Sequence, residues 1–385
     1  MPTPPDAVAR DPLVEPDWAR WDEQAASSPW TIGIEEEVML LDPDRWALDA
    51  QIDTVLPALP DGLASHVGAE THGSALELRT GVHPSVGSGI GELRHLRRAL
   101  ADELQVLGLR AAAAGMHPFA VWQDTEISSG ARYQMLHGSM RELARREPTF
   151  ALHVHVALPD REAATRAINQ MRAHVPLLLA LSANSPYWQG RDTGLASART
   201  PLFQGFPRVG IPRAFADYAD YVESIDLLLR CDAFPEPTFL WWDVRLQPRF
   251  ATIEVRIMDA QTELSRCAAL VALVQSLVRL EVEEGFATPA LVGAPEVLAE
   301  NRFLAARDGV EAELIDPDAG CRIPVRDLLA GTVAACRPHA EDLGCAAELE
   351  ATGAISDRPD PAWQREAAAG PDGLPGLVEA LAAVF

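Results

Sequence analysis

The sequence predicts an α+β protein, a mostly antiparallel sheet backed by helices, on three observations. Short segments alternate apolar and polar residues with the period of two that a half-buried strand requires. Long amphipathic stretches with a helical period lie between them. The two kinds of segment do not alternate one for one, and Pro- and Gly-rich loops intervene, which argues against a doubly wound parallel sheet.

Residues 1–28 are rich in Pro, Asp and Ala without periodicity and read as an N-terminal arm. Residues 29–385 read as a single domain with a helical C-terminal part, and 48% hydrophobic content in a 385-residue chain can fill a large core. Five strands are predicted: 31–41 (TIGIEEEVMLL), 74–80 (SALELRT), 150–157 (FALHVHVA), 240–247 (LWWDVRLQ) and 251–258 (ATIEVRIM). Helices are predicted over about 90–114, 160–184, 213–229, 261–284, 295–307 and 324–347. Asp160 is the expected N-cap of the second, and Pro176 the expected site of a kink. Trp241 and Trp242 could be core, dimer interface or substrate wall, with core the default for large aromatics.

The formal net charge of −24 repels nucleic acid and anionic membrane surfaces, so neither is an expected partner. An anion that does bind must meet metal ions or clustered arginines that reverse the field locally. There is no lysine, which excludes a lysine Schiff base, a biotinyl or lipoyl lysine, and a P-loop that relies on Lys beside the phosphates. The five cysteines are odd in number and lack CxxC spacing, so no disulfide framework or zinc ribbon is indicated. With no signal-like N-terminus and no apolar run of membrane-spanning length, the expected location is the cytoplasm.

The charged residues fall on one face of each strand. Glu35 and Glu37 share a face opposite Ile32, Ile34, Glu36 and Val38; Glu77 and Arg79 oppose Leu76 and Leu78. His153 and His155 oppose Leu152, Val154 and Val156, while Glu254 and Arg256 oppose Ile253, Val255 and Ile257. One such pair is usually a solvated outer face or, for two histidines, a structural feature. Four strands with the same division are a different matter. Their polar faces, joined by nearby Glu70, are predicted to converge on two or more divalent cations, and hard oxygen donors with an imidazole suit Mg²⁺ or Mn²⁺. Glu36, facing the other way, is read as structural.

Carboxylates, metal and arginine together suit phosphoryl transfer, with Arg256 at the transferred group. The segment GSGIG at 87–91 superficially resembles a dinucleotide loop, but Glu92 stands where the last glycine belongs. The long loop 182–213 carries Arg191, Arg199 and Arg208, and its length argues for a binding role against the plainer reading of an ordered surface crossing.

These residues resemble a known family. GIEEEVMLLDP from Gly33, AETHGSALELRTGV from Ala69, LHVHV from Leu152, ANSPYWQGRDTGLASART from Ala183 and WWDVRLQPRFATIEVRIMD from Trp241 are similar to the motifs of the type 2 glutamate–cysteine ligase family, in its YbdK-like carboxylate-amine ligase branch. The resemblance runs from about Thr31 to Glu284. It implies a glutamine-synthetase-like sheet curved into a funnel, with ATP at one end and amino-acid substrates at the other, in one catalytic domain. By motif position it implies metal ligands Glu35, Glu37, Glu70, Glu77, His153 and Glu254. Arg256 and Arg199 would be catalytic and, with Ser197, would contact the nucleotide; Arg79, His155 and Arg245 would contact substrate. Alanines 151 and 157 stand where the family has glycines around the HVH strand, a departure that bears on pocket shape.

The implied reaction joins a carboxylate, such as that of glutamate, to an amine through an acyl phosphate, releasing ADP and phosphate. Two other readings stay open: a metal-dependent hydrolase, suggested by the HxH pair, and a relative that binds nucleotide or amino acid without turnover. The sequence does not name the substrates, and it leaves a homodimer open.

Overall fold

The computed structural model describes residues 15–146 and 148–385. The first fourteen residues of the arm lie outside these. The rest of the arm, read as irregular, is packed against the fold: Ala19 is fully buried, its carbonyl accepts from Tyr218 Oη at 2.6 Å, and Trp18 and Trp21 stack edge-on against Tyr221 and Tyr218.

Seven strands form one antiparallel sheet. They are β1 (Ile32–Leu41), β2 (Val67–Ala69), β3 (Ala75–Arg79), β4 (Arg110–Ala112), β5 (Ala151–Ala157), β6 (Val244–Gln247) and β7 (Thr252–Asp259). The order is β6-β7-β5-β1-β3-β2, with β4 pairing the far end of β1. The expected α+β class with an antiparallel sheet is what the chain adopts. The sequence predicts the end of a helix where β4 lies. That helix, α1 (Val86–Val106), instead stops before Gly108, whose φ of 76° turns the backbone, and Arg110–Ala112 pairs with Met39–Leu41. GSGIG lies in the first turns of α1 behind its Ser85 cap, so it is no phosphate loop.

The predicted 160–184 helix is two: α2 (Arg161–Met171), capped by Asp160 accepting from the Ala163 N–H at 2.7 Å, and α3 (Val175–Ser182), with a 3₁₀ turn Arg172–His174 between. Pro176 cannot continue α2 and instead starts α3. Beyond the helix Tyr218–Arg230, where 213–229 is predicted, lie α4 (Leu264–Glu283), α5 (Pro295–Asp308) and α6 (Val325–Leu343). Four of these, α1, α2, α3 and α4, lie against the sheet, and α4 packs on both α1 and α2.

The apolar strand faces meet this helical layer. Ile34, Val38, Leu76, Leu78, Leu152, Val154, Ile253 and Val255 are all at most 1% exposed. Glu36 projects into the same layer and is fully buried. Arg97 of α1 meets it through Nε at 2.7 Å and Nη2 at 2.5 Å, and gives its other protons to the carbonyls of Gln261 and Thr262. Its structural reading holds.

One irregularity matters for the other face. Val255 pairs with Val154 and Met258 with Leu152, so β7 spends three steps where β5 spends two. This bulge breaks the alternation predicted for 251–258: Ile257, expected in the apolar layer, lines the cavity on the polar face, and Asp259 is brought opposite Ala151.

Candidate active site

The register assembles the polar face. Glu35 lies opposite both His153 and Arg79, Glu37 opposite Glu77, and Glu254 opposite both His155 and Arg245. Directly paired side chains on one face of a sheet have Cβ atoms about 5 Å apart, so these residues must meet.

They do meet. Glu35 stands 3.3 Å from His153 Nδ1 and 3.5 Å from His155 Nε2; Glu37 is 3.7 Å from His153 Nε2; Glu254 is 4.0 Å from His153 and 3.9 Å from His155. Donor atoms of Glu35, His153 and Glu254 all lie within 4.8 Å of one another, as do those of Glu37, Glu77 and His153. His153 belongs to both groups. Glu70 follows β2 and lines the same cavity as Glu37, one carboxylate oxygen 3.3 Å from the N–H of Thr71. The six predicted ligands therefore occupy one neighbourhood.

Arginines border the acids. Arg245 is committed to Glu254, at 3.0 and 3.1 Å, and to the carbonyls of Thr238 and Leu240. Arg256 pairs with Glu254 from the cavity side, and Gln247 Nε2 donates to the same carboxylate at 2.7 Å. Arg79 is half-exposed, 3.6 Å from Glu77. His155 is fixed by Thr252, whose Oγ1 is 3.0 Å from Nδ1, so Nε2 faces Glu35 and Glu254.

Of the three loop arginines, Arg199 lines the cavity. It is buried, donates to the carbonyls of Ile257 and Arg256, and keeps a buried Nε with no partner among the described residues. Arg191 is exposed in the hairpin Tyr187–Asp192, and Arg208 lies over the Trp241 and Phe234 rings with Nε on the Phe239 carbonyl. Ser197 is fully buried and donates to Asp259 at 3.0 Å.

Burial and charge divide the acids. Burial raises Glu35 and Glu254, yet the histidines beside Glu35 and the two arginines on Glu254 outweigh it and hold both below the ordinary carboxylate range. No such excess of positive charge reaches the others. Burial and Glu70 push Glu37 up to about 8, and burial with Glu35 and Glu70 holds Glu77 well above its ordinary value. Burial and Arg256 lower His153 to about 4, leaving its imidazole neutral and free to ligate at pH 7. Repelling carboxylates around a neutral imidazole form a donor set that a hard divalent cation fits.

Several residues in or behind the cavity wall lie outside the set that the sequence predicts. Asp259 accepts from Ser185, Ser197 and the Asn184 N–H at 2.7–3.0 Å and stands 3.6 Å from Arg199. A Cβ on Gly115 would come within 2.6 Å of its carboxylate, so only glycine fits there. Asp243 and Arg302 pair across the cavity wall at 2.7 and 3.1 Å. Asp243 interrupts the expected strand 240–247: Trp241–Trp242 pairs with Val209–Gly210, and only Val244–Gln247 joins the sheet. Both tryptophans are partly exposed, packing against the core on one side and lining the cavity on the other. His72 also lines it, with a buried and unpartnered Nε2. A polar break between bulky apolar residues was the available signal for Asp243; Arg302, inside a generic helix, had none.

Comparison with known proteins shows the family and the fold. The sequence profile of glutamate-cysteine ligase family 2 matches residues 31–362. A Rubrobacter xylanophilus protein named "Putative glutamate--cysteine ligase 2-1" is 41% identical over 323 residues, covering 84% of this chain and 86% of that one. A similarly named Sorangium cellulosum protein is 36% identical over 324 residues, covering 83% and 86%. Among solved structures, the glutamate–cysteine ligase of Francisella tularensis in complex with AMP superposes with a TM-score of 0.67 at 13% identity, over 92% of this chain and 87% of that one, a likeness of fold. No helix among the described residues is long and apolar enough to cross a membrane. The chain belongs to glutamate-cysteine ligase family 2 and is an ATP-dependent ligase that forms C–N bonds.

Proposed function

We propose that this enzyme activates the carboxylate of a small molecule, an amino acid such as glutamate, as an acyl phosphate and passes the acyl group to an amine. The observation that carries the reading is the convergence of acids from three strands, with Glu70 after β2 and His153 of β5, beside one cavity bordered by Arg256 and Arg199. Glu35, Glu37, Glu70, Glu77, His153 and Glu254 would hold Mg²⁺ or Mn²⁺. Such ions, when bound, neutralise the phosphates and the charge developing in transfer.

Arg256 is aimed by Glu254 and takes the oxygens of the transferring phosphoryl group; Arg199 stands beside it with a free N–H. A substrate carboxylate oxygen attacks the γ-phosphorus as the bond to ADP breaks. The amine then attacks the acyl carbon, loses a proton, and expels phosphate. Arg79 and His155, at the other edge of the acids, are proposed to orient the acid substrate, while Arg245 keeps Glu254 in place. The names of the relatives make glutamate and cysteine the first pair to try.

ADP release with Mg²⁺ across a panel of acids and amines is the direct test: release that needs both partners is expected. Amide hydrolysis without ATP, or no pair-dependent release from folded protein, would count decisively against the ligase chemistry proposed.

A second measurement probes the metal site alone. Glu37, held near 8, and Glu77, also raised, carry protons near neutral pH that a cation must displace. Mg²⁺ affinity should therefore rise between pH 6.5 and 8, by up to about tenfold per pH unit for each proton released. Calorimetry in two buffers of different ionisation enthalpy reads the proton release; a flat profile would dismiss the site.

A further inference from the structure

A second cavity of about 600 Å³ lies behind the turn that carries Arg199. Thr200 and Arg302 line both cavities, so one wall separates them. One side is a stripe of α5 at helical spacing, including Leu298, Arg302 and Phe303; the other includes Pro201, Val209 and Ile211.

Three arginines reach this space, and two are already neutralised. Arg302 is held by Asp243, and Arg213 by Asp220 at 2.6 and 2.8 Å. Arg172, in the 3₁₀ turn between α2 and α3, is 3% exposed, and its Nε and Nη1 have no hydrogen-bond partner among the described residues. A buried guanidinium without an acceptor is unfavourable, and such a group is kept where something outside the chain completes it. Burial alone, with no acid beside it, lowers its proton affinity.

We propose that this cavity is a second ligand site, taking a small organic monocarboxylate with an apolar body. The carboxylate accepts from the unpartnered N–H groups of Arg172, and the apolar part lies between Leu298, Phe303 and Ile211. One uncompensated cation matches one negative charge, which favours a carboxylate over a phosphate dianion. The site does not depend on the reaction assigned to the first cavity.

The test uses 4-methylpentanoate, its uncharged analogue 4-methylpentanamide, and inorganic phosphate, titrated by calorimetry and followed by thermal shift. The acid should bind saturably, at least tenfold tighter than the amide. It should bind Glu37→Gln as well as the parent, and lose at least tenfold in Arg172→Met and in Leu298→Trp, which fills the apolar wall and leaves the charge. Without ligand, Arg172→Met should melt at or above the parent temperature, since it removes an unpaired buried charge. Equal binding of the amide, preference for phosphate, acid binding retained by Arg172→Met, or a lower melting temperature for that variant would each overturn the proposal.

Discussion

Glu254→Gln will lower kcat for ADP release by about 10³-fold or more and weaken Mg²⁺ binding, because one carboxylate serves two jobs. It offers an oxygen to the proposed metal cluster beside Glu35 and His153, and it aims Arg256 into the cavity while Arg245 and Gln247 fix it from behind. An amide keeps the shape but removes the charge that two buried arginines share. Breaking a buried ion pair from one side costs about 3–5 kcal/mol, so the melting temperature should fall as well. Turnover at full rate in a folded Glu254→Gln enzyme would remove Glu254 from the chemistry.

The neighbouring glutamates of β1 should separate cleanly by position. Glu36→Ala leaves Arg97 charged and buried among helices, and is expected to destabilise by about 3–5 kcal/mol in urea denaturation. The double variant Glu36→Leu/Arg97→Met should recover most of that loss, since apolar replacement of a buried pair is often neutral or better. Glu35→Gln and Glu37→Gln should do the reverse: lose activity, with Glu37→Gln leaving the metal-free protein as stable or more so, because it removes an acid that its neighbours repel. If Glu36→Ala melts like the parent, the buried pair is not what anchors α1 to the sheet.

Much of this site is legible in the sequence. Period-two alternation assigns Glu35 and Glu37 to one face and Glu36 to the other, because successive side chains on a strand cannot do otherwise. The same rule placed Glu77, His153, His155 and Glu254, and the structure supplies the register that sets them side by side. What the pattern could not supply is anything that breaks the period or crosses between distant elements. The bulge after Val255 moved Ile257 to the cavity, and Asp243 split a run that looked continuous. Arg302 and Arg172 sit on helical segments whose sequence carries no sign of what they face, since pairing across 59 residues, or the lack of a partner, exists only once the chain is folded.

The additional residue in β7 makes that strand a phase converter. Up to Val255 it counts in step with the histidine strand; beyond it the count is inverted, so a methionine stays with the helices and Asp259 emerges among the serines. Without the additional residue the strand would pair regularly and still set Met258 opposite Leu152 and Asp259 opposite Ala151, whereas the full-length strand paired without a bulge would exchange the two, so the bulge and not the alternation decides which of them meets the serines.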